Sequence, residues 1–153
     1  EGTAWLTESR DEFIIAGNGV LVRYNGTDAN VEIPRGVKVI SDAFSGNTSV
    51  RSVTVSGKVK TIDEYAFSGC TALGRVTITS GVSTIREGAF AGCTALSVIY
   101  LPGSVKEIGK NAFSGCRNLT SVNFAGSAGK WNKIAFAEGN GALSGVVCGS
   151  KPQ

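Results

Sequence analysis

Four cysteines, Cys70, Cys93, Cys116 and Cys148, are the residues of this 153-residue chain best suited to chemistry, and no histidine stands beside them. Thiols can cross-link, bind zinc or attack as nucleophiles. Cys70, Cys93 and Cys116 recur at one constant interval, with no Cys-x-x-Cys pair. If that spacing reflects stacked coils, the three form a row, and a row of parallel side chains cannot surround a metal tetrahedrally. Neighbours about 4.8 Å apart fall within the Cα range of a disulfide, but three thiols pointing one way cannot all pair. The plainer reading is a small buried hydrophobe, with a disulfide left as the alternative. Without histidine, Ser-His-Asp and Cys-His catalysis are absent at once. Asp11-Glu12 and Asp63-Glu64 are adjacent carboxylates, so their side chains diverge and solvate turns rather than share a glycosidic bond. Gly139-Asn140-Gly141 lacks the Lys-Ser/Thr of a phosphate loop and reads as a turn. The expectation is a non-enzyme with no catalytic residue, no metal and no cofactor.

The composition fits one folded domain: 42% hydrophobic, 18% charged, 21 glycines. A net charge of +3 is too mild to argue for nucleic acid. No apolar run approaches the roughly 18 residues of a membrane span, so no membrane insertion is expected.

The cysteine spacing belongs to a wider repeat. Ala-Phe recurs at Phe44, Phe67, Phe90, Phe113 and Phe136, always at the interval that separates the cysteines. Two positions beyond the first four comes Gly46, Gly69, Gly92 and Gly115. A Leu-x-x-Val-x-Ile pattern follows, as in Leu73/Val76/Ile78 and Leu96/Ile99/Leu101, and a Val-x-x-Ile pair precedes each early Ala-Phe. In the fifth unit Ala128 and Trp131 fill the slots of that pair. The period-2 tail predicts a short strand with one buried face. A repeat of about 23 residues is too short for a strand plus a full crossover helix, so the return path is a second extended piece and one helical turn around Ala-Phe. The glycine supplies a positive φ where that turn closes. Stacked coils bury what a single coil cannot, and the five phenylalanines are expected to form an internal stack. Residues 11–24 read as a capping hairpin turning at Gly17-Asn18-Gly19, and the altered fifth unit as the opposite cap. The expected organisation is an N-terminal segment and hairpin at 1–29, a solenoid at 30–148 and a tail at 149–153. A chain that begins at Glu1 reads as a mature or trimmed piece of a longer protein.

The runs VTVSGKVKTIDEYAFSGCTAL (53–73), VTITSGVSTIREGAFAGCTAL (76–96) and VIYLPGSVKEIGKNAFSGCRNL (98–119) resemble the BspA-type leucine-rich repeats of bacterial surface proteins. FAGSAGKWNKIAFAEGNGAL (124–143) looks like a closing unit of that family, and Asn47 departs from it where a cysteine is usual. The resemblance implies a leucine-rich-repeat solenoid of about five coils, mostly β, with its parallel sheet on the concave side and short helical turns on the return path. It also implies a bacterial secreted or cell-surface module for adhesion. The partner would be an extracellular protein, or alternatively a glycan, bound by a monomer with no nucleic acid involved. A pure spacer within a larger protein is a third reading.

In such repeats the sheet face is the binding face. Outward positions on the strand are Glu32, Thr54, Thr77, Tyr100, Asn123 and Val147, flanked by Arg75, Val98 and Ser121 on one side and by Ser56, Thr79 and Pro102 on the other. Thr54, Thr77, Tyr100, Asn123, Arg75 and Val98 are therefore the candidate binding residues, with Tyr100 the best anchor. The plainer alternative is that Ser and Thr are simply good exposed strand residues. Lys38, Lys60 and Lys106 form a second row beside Val-x-x-Ile, close in sequence to Asp63, Glu64, Glu87 and Glu107, and read as a mixed solvated flank.

Overall fold

The computed structural model describes residues 12–55, 57–79 and 81–149; segment 1–11, Ser56, Ser80 and tail residues 150–153 lie outside the described residues. Strands β1 (Phe13–Ala16) and β2 (Val20–Tyr24) form an antiparallel hairpin around Gly17–Gly19. Asn18 at φ 68° and Gly19 at φ 79° supply the left-handed backbone of that turn. Short and long strands then alternate: β3 (Asn30–Glu32), β4 (Val39–Ile40), β5 (Ser52–Val55), β6 (Thr61–Ile62), β7 (Arg75–Ile78), β8 (Thr84–Ile85), β9 (Val98–Leu101), β10 (Glu107–Ile108), β11 (Ser121–Phe124), β12 (Ala135–Phe136) and β13 (Val146–Cys148).

The long strands pair in parallel as one six-stranded sheet ordered β13-β11-β9-β7-β5-β3. The short strands and the hairpin make a seven-stranded sheet ordered β1-β2-β4-β6-β8-β10-β12. Each turn of chain thus adds one rung to both sheets, and the fold is a parallel β-solenoid. The first sheet has one strand more than the five Ala-Phe copies because β3 precedes the first of them.

On the long strands burial alternates strictly, as in Ser52–Val55, so Val53, Val55, Val76, Ile78, Ile99 and Leu101 point inward and their neighbours outward. The turn after each short strand is not an α-helix. It is a chain of i→i+3 bonds, from Ala66 N to the Asp63 carbonyl, Ser68 N to Tyr65 and Cys70 N to Phe67. Tyr65, Gly88 and Asn111, one per coil, have φ of 58°, 64° and 56°, which interrupts any helix there. Gly46, Gly69, Gly92 and Gly115 close the turn at φ 74–80°, as the sequence predicts.

The aromatic stack differs from expectation at both ends. Phe44, Phe67, Phe90 and Phe113 stack with ring centroids 4.8 to 5.1 Å apart. Tyr24 and Phe13 extend the column from the hairpin, at 4.9 and 5.1 Å. Phe136 is not in it. Its backbone pairs with Ile108, which itself pairs with Ile85, whereas an undisturbed repeat would set Phe136 beside Phe113. The extra chain in this coil forms helix α1 (Ala128–Trp131), so Ala128 and Trp131 do not take the Val-x-x-Ile slots. Phe136 instead fills the isoleucine slot of the last described coil, edge-on to Trp131, and is 41% exposed because β12 is the edge strand of its sheet.

The edge of the stack also leaves backbone donors without carbonyls. Phe44, Phe67 and Phe90 each give their N–H to the alanine carbonyl of the next coil. Phe113 N–H instead reaches Asn140 Oδ1 at 3.2 Å, while Asn140 Nδ2 donates to the Gly109 and Ala137 carbonyls at 2.9 Å each. One side-chain amide thus replaces the next rung. Asn140→Ala is expected to lower stability by about 1–3 kcal/mol, since it orphans a part-buried donor and two acceptors. Urea titration measures this, and an unchanged midpoint would refute the capping role.

Candidate functional site

The register of the long strands places the candidate residues side by side. Glu32, Thr54, Thr77, Tyr100, Asn123 and Val147 form one row across all six strands. Asn30, Ser52, Arg75, Val98 and Ser121 form the next row on the same face. Ser56, read from the sequence as part of this face, lies outside the described residues. Arg75 sits diagonally from Tyr100, and its guanidinium carbon lies 5.2 Å from the ring centroid. That is a cation–π contact, which orients both side chains. Asn123 Nδ2 donates to Ser121 Oγ at 2.9 Å, and Ser52 Oγ donates to Asn30 Oδ1 at 2.7 Å. The face is therefore a pre-ordered polar surface with one aromatic at its centre. At its hairpin end it opens into a groove of about 370 Å³ whose wall carries Glu12, Asp28 and Glu32.

The cysteine row stands apart from this face. Cys70, Cys93 and Cys116 are buried, not joined in disulfides, and donate to the carbonyls of Phe44, Phe67 and Phe90 at 3.0, 3.1 and 3.2 Å. Burial pushes the Cys70 thiol up to about 12. The Cys93 thiol is raised too, first by its hydrogen bond with Cys116 and then by burial. The same bond lowers the Cys116 thiol, so what makes the row as a whole poorly reactive is its burial. At position 47, Asn47 Oδ1 accepts from Ser49 N and Val50 N at 2.8 and 2.9 Å, so a side-chain-capped turn stands where later coils place a thiol. The Asp63 carboxylate takes the Glu64 backbone N–H at 2.8 Å and Arg86 at 3.4 Å, which fixes it in the turn, while Glu64 is exposed.

Two grooves outside this face escaped sequence reasoning. Over the short strands lies a groove of about 520 Å³ with Glu64, Glu87 and Glu107 on its walls and Phe136 at one end. Tyr65 donates to Glu87 Oε2 at 3.0 Å, a bond that raises the Tyr65 phenol. Its ring packs where a Gly88 side chain would stand, which together with the φ of 64° requires glycine there. The second groove, about 450 Å³, lies between the Gly103–Lys106 turn and the segment following α1. Its signal in the sequence was the pair Lys130 and Lys133, hidden by reading Ala128–Trp131 as an ordinary repeat slot.

A parallel solenoid with one strand per coil in each of two sheets is the architecture of a leucine-rich-repeat protein. The sequence matches the BspA type leucine rich repeat region in six copies over residues 24–141, and the chain belongs to that family. No curated protein matches it. Among solved structures it is similar to a leucine rich cell surface protein from Faecalibacterium prausnitzii, at 29% identity and a TM-score of 0.61. That match covers 80% of this chain and 40% of the other, so the chain spans less than half of that relative's length. It is also similar to a leucine rich repeat protein from T. pallidum, at 26% identity and a TM-score of 0.67, covering 89% of this chain and 77% of that one. Repeat proteins of this family are typically non-enzymatic. No helix among the described residues is long and apolar enough to cross a membrane.

Proposed function

We propose that the protein is a non-enzymatic module, secreted or displayed on a bacterial cell surface, that binds an extracellular protein through the outward face of the six-stranded sheet. The observation that carries this reading is the Arg75–Tyr100 pair, ordered at the centre of a hydroxyl-rich row running through Thr54, Thr77 and Asn123. Tyrosine and arginine at the centre of a patch are the residues most often found to dominate protein interfaces. The name of the Faecalibacterium relative, a cell surface protein, supports the location.

A second reading, neutral glycan recognition, is favoured by Asn123 standing directly beside Tyr100. An aromatic face next to a carboxamide suits a pyranose ring and its hydroxyls. A panel of extracellular-matrix proteins and a neutral-glycan array separates the two. Tyr100→Ala is expected to weaken binding by about 30-fold, or about 2 kcal/mol, on the panel that binds. Matrix binding lost by this variant supports the first reading, and glycan-only binding supports the second. Full retention by the variant removes the face from consideration, and silence on both panels favours a spacer.

A further inference from the structure

Outside that face, we infer that the groove between the Gly103–Lys106 turn and the α1 segment binds an anionic polysaccharide. Lys106, Lys130 and Lys133 converge on this groove, and no acidic residue lines it. The ion pairs among the described residues are Arg86 with Asp63 and Lys110 with Glu138, so these three ammonium groups are not neutralised by a carboxylate. Glu107, next in sequence to Lys106, lines the other groove instead. Between the lysines lie Gly103, Ser104 and the almost wholly buried Val105 and Ile134, 4% and 7% exposed.

The groove exists because the last coil departs from the repeat. The extra residues form α1, with Ser127 Oγ capping it through the Lys130 N–H at 3.2 Å. Ala135 N–H then returns to the Lys106 carbonyl at 2.9 Å, which seats the segment bearing Lys133 and Ile134 beside Val105 and Lys106. The equivalent turns of regular coils carry fewer lysines, two at Lys58 and Lys60, one at Lys38 and none beside Ser83, and no α1 segment packs beside them. Three cations on an open groove free of carboxylates fit a chain of linked sugars whose carboxylate or sulfate groups recur along its length and meet the ammoniums. A net charge of +3 is small for nucleic acid.

Binding to polygalacturonate and to dextran sulfate, with neutral dextran as control, tests this at near-physiological salt. The first two distinguish a carboxylate from a sulfate ligand. The Lys106→Gln/Lys130→Gln/Lys133→Gln variant should lose at least about tenfold in affinity. A charge-matched variant at the far end of the row, Lys38→Gln/Lys58→Gln/Lys60→Gln, should lose less than about threefold. Lysine acetylation footprinting of the unmodified protein should show Lys106, Lys130 and Lys133 protected by the polymer. Equal loss in both variants would mean attraction by bulk charge and overturn the site. So would retention by the groove variant, absent protection, or tighter binding of poly-glutamate, duplex DNA or anionic vesicles. Tyr100→Ala should leave this binding unchanged, so the site stands or falls independently of the sheet face.

Discussion

Phe90→Ala lowers the melting temperature by roughly 10 °C, while Tyr100→Ala moves it by no more than about 2 °C. Phe90 is 0% exposed and lies between Phe67 and Phe113, each 5.1 Å away and within 11° of parallel. Truncation removes a fully buried ring and leaves a void that both neighbouring coils line. Large-to-small changes of this kind cost about 3–5 kcal/mol, the larger values where the site cannot collapse. Collapse is resisted here because Phe90 N–H is bonded to the Ala112 carbonyl and the Phe90 carbonyl receives the Cys116 thiol, so the backbone is held on both sides. Tyr100 projects from the sheet, and its loss removes little more than the contact with Arg75. Phe136→Ala provides an internal comparison: half-exposed at the last coil, it should cost less than half as much as Phe90→Ala. Equal shifts for Phe90 and Tyr100 would overturn the inward assignment of the phenylalanine row.

Most of the solenoid is readable from residue spacing because each coil presents the same environment to the next. Gly69, Gly92 and Gly115 each need a positive φ at one slot, and Cys70, Cys93 and Cys116 each fill one space beneath a phenylalanine carbonyl. Identical constraints select identical residues, so the period survives in the sequence. The ends lack that constraint. Ala135-Phe136 keeps the regular spacing because α1 lengthens the path into β12 by as many residues as separate an isoleucine slot from its phenylalanine, as Ile108 from Phe113. The spacing there is a coincidence of length, and pairing in the sheet shows a different slot. Tyr24 joins the aromatic stack without an alanine before it, because the hairpin rather than a coil delivers it. Asn140 caps the last coil through contacts 27 and 31 residues back, a relation with no counterpart in the other described units. The sheet face was legible because register in a parallel sheet follows the repeat. The lysine groove was not, since it depends on where an irregular helix returns to the stack.

The buried thiols give the folded state a sharp alkaline limit. An unfolded cysteine titrates near 9.0, whereas the folded chain holds the Cys70 proton up to about 12 and raises Cys93 as well. Above pH 9 the unfolded chain therefore binds fewer protons than the folded one, and stability falls as pH rises. The stabilisation from proton retention is complete below pH 9 and is lost on the way toward the folded-state values. At pH 10 the raised Cys70 removes about 1 kcal/mol, while the raised Cys93 and the Cys116 thiol lowered by their shared bond act in opposite directions. Urea titrations at pH 8 and pH 10 should show that drop before most lysines and tyrosines lose their protons. The Cys70→Ala/Cys93→Ala/Cys116→Ala variant starts less stable, having lost three hydrogen bonds to backbone carbonyls, but its stability should change far less over the same interval. A wild-type slope equal to that of the variant would show that other groups set the alkaline limit. Alkylation at pH 8 checks the same physics by mass. Without denaturant the half-buried Cys148 takes one label while the row stays covered, and in urea all four thiols react. Three thiols that stay blocked in urea until a reductant is added would instead mean cross-links, and the row of free thiols would be abandoned.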